Sequence, residues 1–168
     1  MRWTTAGCEF SRTPTTMTVG DATVPVTPPE LDAAMADIDR AGRDSYPDHY
    51  AGLEVDQEQV RAIVYRVPSD AFDEMVRQTG DGVCVEVRDA PHGLAELTTW
   101  HDRVVADLGS WSADGVSIVS VGARHDGSGV EVGVQDAAGA KERLLSRYGA
   151  DAPLIIVEQD PVFPIAGH

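Results

Sequence analysis

Four side chains have the types and spacing that acid–base chemistry could use: Tyr65, Glu86, Arg88 and His101. Tyr65 lies in a β-branched run, and Glu86 and Arg88 alternate with valines, so these three could meet on one sheet. His101 falls on or beside the apolar stripe of a helical segment. A carboxylate or histidine beside a cation in a pocket can transfer protons. This set therefore defines one possible function, an enzyme or small-molecule binder with a pocket between sheet and helices.

No motif supports that chemistry, and we assign no catalytic residue from the sequence. The chain has no Gly-x-Ser-x-Gly nucleophile elbow, no His-Glu-x-x-His pair and no phosphate-binding loop. The nearest approach to a metal-ligand set is Cys84, His92 and His101, whose spacing does not match that of zinc sites. We predict no metal and no cofactor.

The two cysteines, Cys8 and Cys84, form no Cys-x-x-Cys motif. Cys84 alternates with valines and is expected to be a small buried apolar residue. A bridge to Cys8 requires the N-terminal segment to fold back, and we do not expect it. The four residues ending at Cys8 resemble the end of a lipoprotein cleavage box, so Cys8 would be a lipid anchor if a longer leader exists. An ordinary N-terminus is the alternative, and the location stays open between cytoplasmic and extracytoplasmic lipoprotein-like.

The net charge of −15 disfavours two classes of partner. Phosphate contacts need clustered Lys and Arg, so we predict no nucleic-acid binding and no binding to an anionic membrane surface. No apolar run approaches the roughly 20 residues that cross a bilayer, so we predict no membrane span.

The elements that would position these residues form a small unit that occurs twice in the sequence. Residues 60–87 and 130–157 each contain a β-branched run, a short amphipathic helix and a second apolar strand. A further strand precedes each unit, which gives the order ββαβ twice. This pattern predicts an α+β fold with two ferredoxin-like ββαβ lobes, an internal repeat, and antiparallel or mixed sheets.

The predicted organisation has six parts. They are a flexible tail at 1–27, a helix at 28–45, the first lobe at 50–90, a linking helix at 91–114, the second lobe at 115–160 and an apolar tail at 161–168. Local signals support the helix ends, because Ser69 and Asp136 can act as N-caps and Gly42 and Gly149 can end helices.

Four segments resemble the pro-regions of bacterial chymotrypsin-fold proteases of the α-lytic and streptogrisin type. They are Tyr-Ala-Gly-Leu-Glu-Val-Asp at 50–56, Leu-Ala-Glu-Leu at 94–97, Val-Glu-Val-Gly-Val at 130–134 and Tyr-Gly at 148–149. The resemblance spans residues 50–158, and the sequence contains no protease domain.

The resemblance implies a two-lobed module that folds and inhibits a partner protease. In that family a sheet edge of the second lobe pairs with the protease, and a C-terminal tail lies along the substrate cleft. The matching residues here would be Val119, Val121, Val130, Val132, Val134, Phe163 and Ile165. The leading prediction is a non-enzymatic protein-interaction module whose partner is another protein, possibly a protease.

Overall fold

Two mixed β-sheets and a separate β-hairpin form the framework of the computed structural model, which describes residues 1–161. The α+β class with antiparallel and mixed sheets is confirmed. The strands are β1 (Arg2–Thr4), β2 (Thr15–Val19), β3 (Ala22–Val26), β4 (Tyr50–Asp56), β5 (Arg61–Arg66), β6 (Val85–Asp89), β7 (Ile118–Ala123), β8 (Val130–Val134) and β9 (Leu154–Glu158). The helices are α1 (Pro29–Ser45), α2 (Asp70–Thr79), α3 (Leu94–Ala106), α4 (Leu108–Ala113) and α5 (Ala137–Tyr148), with a 3₁₀ turn at Ala6–Glu9.

The chain divides into two compact units. Unit 1 contains residues 1–95 and 125–127, and unit 2 contains residues 96–124 and 128–161 of the described chain. No helix within residues 1–161 has the length and apolar character needed to cross a membrane.

Unit 1 is built on the four-stranded sheet β1-β6-β5-β4. The β5 and β6 strands are parallel, because α2 crosses over between them, and the other two pairings are antiparallel. The Ser69 side chain caps α2 by accepting a hydrogen bond from the Phe72 amide, as predicted. One face of the sheet packs with α1 and α2 around Ile38, Phe72 and Val76.

The predicted helix stop at Gly42 is wrong. Helix α1 continues through Gly42 to Ser45, and Gly42 instead provides a close approach between elements. A Cβ atom at this position would collide with the ring of Tyr50 in β4. The glycine is therefore required for packing inside a helix, although its residue type is typical of a helix end.

Unit 2 is built on the three-stranded sheet β7-β8-β9. The β7 and β8 strands are antiparallel, and β8 and β9 are parallel with α5 as the crossover. Asp136 caps α5 by accepting from the Gly139 amide, and Gly149 ends it with φ of 100°, both as predicted. Leu97, Val104, Trp111 and Leu144 pack on one face of the sheet.

The linking helix predicted at 91–114 is two helices. Helix α3 ends at Ala106 and α4 begins at Leu108, with Asp107 between them at φ −91° and ψ 0°. The Asp107 carboxylate accepts a hydrogen bond of 2.7 Å from the Tyr148 hydroxyl, which in turn accepts one of 2.9 Å from Trp111 Nε1. These side-chain bonds coincide with the break between the helices.

The segment 1–27, predicted as a flexible tail, contains the strands β1, β2 and β3 and the 3₁₀ turn. Strand β1 pairs antiparallel with β6, and Trp3 packs on the core with its Nε1 3.1 Å from an Asp73 oxygen. Thr5 extends this contact, because its hydroxyl donates to the Val83 carbonyl at 2.7 Å and its amide donates to the Val85 carbonyl at 2.9 Å.

The N-terminal segment folds back far enough to form the disulfide Cys8–Cys84, which corrects the expectation of two unbridged cysteines. The bonded sulfur of Cys8 cannot also carry a thioether lipid, so the lipid-anchor prediction does not apply to this oxidised form. A disulfide is typical of proteins from oxidising compartments.

Candidate interaction surface

The outer face of the unit 1 sheet carries a network of charges. The side chain of Glu86 is fully buried and contacts three guanidinium groups: Arg2 Nε at 2.7 Å, Arg61 Nη1 at 2.5 Å and Arg88 Nε at 2.6 Å. Burial acts to raise the pKa of Glu86, but the hydrogen bond from Arg88 and the charges of the three arginines outweigh it. The pKa therefore lies below its ordinary value, and Glu86 is held as a carboxylate.

A second group of polar side chains continues this network. The Tyr65 hydroxyl donates to Glu54 Oε1 at 2.8 Å, and His125 Nε2 lies 2.8 Å from Glu54 Oε2. These hydrogen bonds, first from Tyr65 and then from His125, lower the pKa of Glu54. Burial, followed by donation to Glu54, raises the pKa of Tyr65. The outer face of this sheet is thus covered by groups that satisfy one another.

Three of the four predicted catalytic candidates meet in this network. Tyr65 and Arg88 are directly opposite on β5 and β6, and Glu86 lies one sheet-face position from Arg88. His101 belongs to unit 2, where its Nδ1 lies 2.9 Å from Asp102 and its side chain is 36% exposed. Clefts of about 480, 430 and 370 Å³ in residues 1–161 are lined by residues other than these four.

The central strand of unit 2 does not provide the partner surface predicted for it. Val130, Val132 and Val134 are fully buried and form part of the apolar core. Strand β8 is also hydrogen-bonded on both sides, to β7 and to β9. These three valines therefore cannot contact a partner in the folded unit, and the prediction for them is corrected.

The opposite face of this sheet carries no helix and presents both apolar and polar side chains. Leu154 and Ile156 pack against the core cluster, so by strand alternation Ile155 and Val157 lie on the other face, where they are half-buried. Gly133 has no side chain on this face, and a Cβ there would collide with the side chains of Ser120 and Gln159, which cross over it. Those side chains are joined by a hydrogen bond of 2.5 Å between Ser120 Oγ and Gln159 Oε1.

The two edges of this sheet differ. Val119 and Val121 belong to the edge strand β7, and Val121 packs against the core cluster. The register of β7 shifts between Ile118 and Ser120. Such a bulge hinders further strand pairing. Strand β9 pairs with β8 over its whole length without a shift, and within residues 1–161 no strand pairs with its other side.

The backbone groups on the open edge of β9 can be assigned from the hydrogen bonds at its two ends. The Val130 amide donates to the Pro153 carbonyl at 2.7 Å, and the Gln159 amide donates to the Val134 carbonyl at 2.8 Å. Because backbone groups alternate along a strand, residues 153, 155, 157 and 159 face β8. The amides of Ile156 and Glu158 therefore point to the open edge.

The edges of the unit 1 sheet carry features that hinder pairing. Strand β4 has a register shift between Tyr50 and Gly52 and carries the charged side chains of Glu54 and Asp56. Strand β1, at the other edge, has only three residues. By these criteria β9 is the most accessible regular edge of the two larger sheets.

The sequence indicated β9 as an apolar strand but not as an edge. Its four apolar residues, Leu154 to Val157, match a fully buried strand as well as an open one, and only the strand order separates the two. Phe163 and Ile165, predicted to contact a partner, lie outside the described residues.

No protein-family model matches the chain, and no curated protein matches its sequence.

Proposed function

We propose that this protein is a non-enzymatic interaction module that binds an extended segment of another protein at the open edge of β9. The observation that carries the proposal is the regular, uncharged run Leu154–Val157 at a sheet edge, with outward amides at Ile156 and Glu158. An added strand would complete the hydrogen bonds that this edge leaves open.

The open face beside the edge supports the same function. A strand added next to β9 would extend the apolar strip of Ile155 and Val157 and bury part of it. Alternate side chains of the added strand would contact this strip, which would supply specificity beyond the backbone bonds. The partner segment is therefore expected to carry apolar residues at every second position.

The resemblance to protease pro-regions suggests the class of partner. A chymotrypsin-fold serine protease of a bacterium is the candidate, with this chain acting as inhibitor or folding assistant. The network around Glu86 favours a structural role for the alternative catalytic set, because the charged groups of that set are bound to one another.

The test is to titrate the protein into a purified streptogrisin-type protease and follow hydrolysis of a chromogenic peptide. We expect inhibition, together with slower hydrogen exchange at the Ile156 and Glu158 amides in the complex. If no such protease is inhibited, this class of partner is excluded. If the slower hydrogen exchange is confined to other strands, the β9 edge is excluded as the binding site.

Glu158 offers a matched pair of variants. Its side chain is exposed and its amide points outward, so E158P removes the edge donor and leaves the bonds to β8 in place. E158A keeps the donor and removes only the charge. We expect E158P to weaken binding about tenfold or more, and E158A to change it about twofold or less.

A further inference from the structure

The β2–β3 hairpin, here called the arm, has two different faces. Strands β2 and β3 pair antiparallel around the turn Gly20-Asp21, where Gly20 has φ of 61°. The pairings Met17↔Val24 and Val19↔Ala22 put the apolar side chains on one face and leave threonines on the other.

The apolar face of the arm is not part of either core in the described chain. Met17 is 52% exposed, Val19 58% and Val24 37%. A two-stranded hairpin of this kind is marginally stable in water, and further strands or a covering surface are what stabilise such ribbons. The arm therefore has the properties of an element that pairs with another strand.

The position of Pro25 shows which edge of the arm can do so. Proline has no backbone N–H and is tolerated in a sheet only where that position faces away from the neighbouring strand. The Pro25 nitrogen therefore faces the outer edge of β3, which lacks one donor. Thr16 is opposite Pro25, and in an antiparallel ribbon two opposite residues point their backbone groups either both toward each other or both outward. Thr16 therefore points its N–H and C=O groups outward, and so does Thr18 two residues further along β2.

We propose that the arm pairs with the arm of a second copy of this chain, β2 against β2, antiparallel about Met17. This register places Thr16 opposite Thr18 of the other copy twice and gives four backbone hydrogen bonds. It also places the two Met17 side chains next to each other on the apolar face. A twofold axis makes the interface self-complementary, so each copy supplies the donors that the other accepts.

The charge distribution favours this occupant. The protein has a net charge of −15, but Asp21 is the only charged residue between Thr13 and Val26. The seam between two β2 strands therefore contains no like-charge contact. The blocked edge of β3 also stops the ribbon at four strands, which gives a closed dimer rather than a fibre.

The size of the seam sets its strength. Five residues on each strand bury less surface than a standard stable interface. The dimer is therefore concentration-dependent, and its association constant rises with added salt, because salt screens repulsion between the acidic chains.

Sedimentation equilibrium over a range of concentrations tests the proposal. We expect the average mass of the full chain to rise toward twice that of the monomer. T18P removes two of the four seam hydrogen bonds and should weaken the dimer about tenfold or more. The control T23P places proline opposite Thr18, on the outer edge of β3 that Pro25 already blocks, and should change the dimer affinity about twofold or less. A chain that stays monomeric, or a dimer that responds equally to both substitutions, overturns the proposal.

Crosslinking supplies a second measurement that does not depend on proline. In the proposed register the two residues at position 17 are a close non-hydrogen-bonded pair, which suits a disulfide. Because Cys8 and Cys84 are bonded to each other, M17C introduces one new thiol. We expect M17C to form covalent dimers under mild oxidation and V24C, on the same face of β3, to remain monomeric. Equal crosslinking of the two variants overturns the register.

Discussion

The two larger sheets share an order of elements but differ on the face that the helices leave open. Along the chain, unit 1 has the order β4, β5, α2, β6, and unit 2 has the order β7, β8, α5, β9. In each unit the first two strands pair antiparallel and the last two pair parallel. The open face of the first sheet is covered by the network around Glu86 and Glu54. The open face of the second carries Ile155 and Val157 beside the polar side chains of Ser120, Glu131 and Gln159, and within the described residues it ends at the unpaired edge of β9.

Under the proposed function, this difference separates a sheet that binds no neighbour from one that adds a partner strand. In unit 1 the open-face carboxylates of Glu86 and Glu54 are paired with neighbouring side chains, the sheet ends on the three-residue strand β1, and Cys8–Cys84 crosslinks the unit. Within the described residues unit 2 has one ion pair on its open face, Arg124 with Glu131, whose side chains are 40% and 38% exposed. The two sheets therefore share a topology but differ in the side chains on their open faces and in their edge strands, and the proposed function depends on that difference.

The largest effect is expected from the disulfide. The C8A/C84A variant releases a loop closed over a sequence separation of 76 residues, which lowers the free energy of unfolding of unit 1 by about 4 kcal/mol. Unit 2, which has no cysteine, should be little affected. Hydrogen exchange resolved by peptide, with and without reductant, measures the two units separately, and equal loss of protection in both would contradict the separation.

A smaller effect is expected from the two open-face carboxylates. E86A leaves three arginines without their shared buried partner and should lower the free energy of unfolding by about 3 kcal/mol. E131A removes an exposed pair and should lower it by less than about 1 kcal/mol. Urea titrations of the two variants check this order, and equal losses would show that the Glu86 network does not stabilise unit 1 specifically.

The smallest effect is expected from pH. Glu86 and Glu54 have pKa values below their ordinary 4.5, so the unfolded chain binds their protons first as pH falls. Their contribution to stability is complete above about pH 4.5 and is lost as the pH falls through the lower folded values. Unit 1 should therefore lose stability on acidification below pH 4.5, and E86Q should flatten this dependence. Urea midpoints between pH 3 and pH 6 provide the measurement, and a wild-type slope retained in E86Q would exclude Glu86 as its cause.

Local signals in the sequence were sufficient for most elements of the fold. Ser69 and Asp136 cap their helices and Gly149 ends α5, because these effects depend on hydrogen bonds and backbone angles within a few residues. The arm had a signal of the same kind that the prediction of a flexible tail overlooked. A Gly-Asp pair between alternating threonines and apolar residues is typical of a hairpin turn.

The candidate sites were less predictable. Alternation showed that one face of β8 is buried but not that β8 is the central strand, so Val130, Val132 and Val134 were assigned to a partner surface although they form the core. The Cys8–Cys84 bridge was missed because it depends on β1 pairing with a strand more than 80 residues away.

By itself the sequence determined the α+β class, the order of elements from α1 to β9 apart from the break at Asp107, and the caps of α2 and α5. Each of these depends on interactions between residues that are close along the chain. Tertiary structure alone decided which strands lie at a sheet edge, which face of each sheet the helices cover, and that Cys8 meets Cys84. Each of those depends on contacts between distant segments, and the same local pattern is compatible with either outcome.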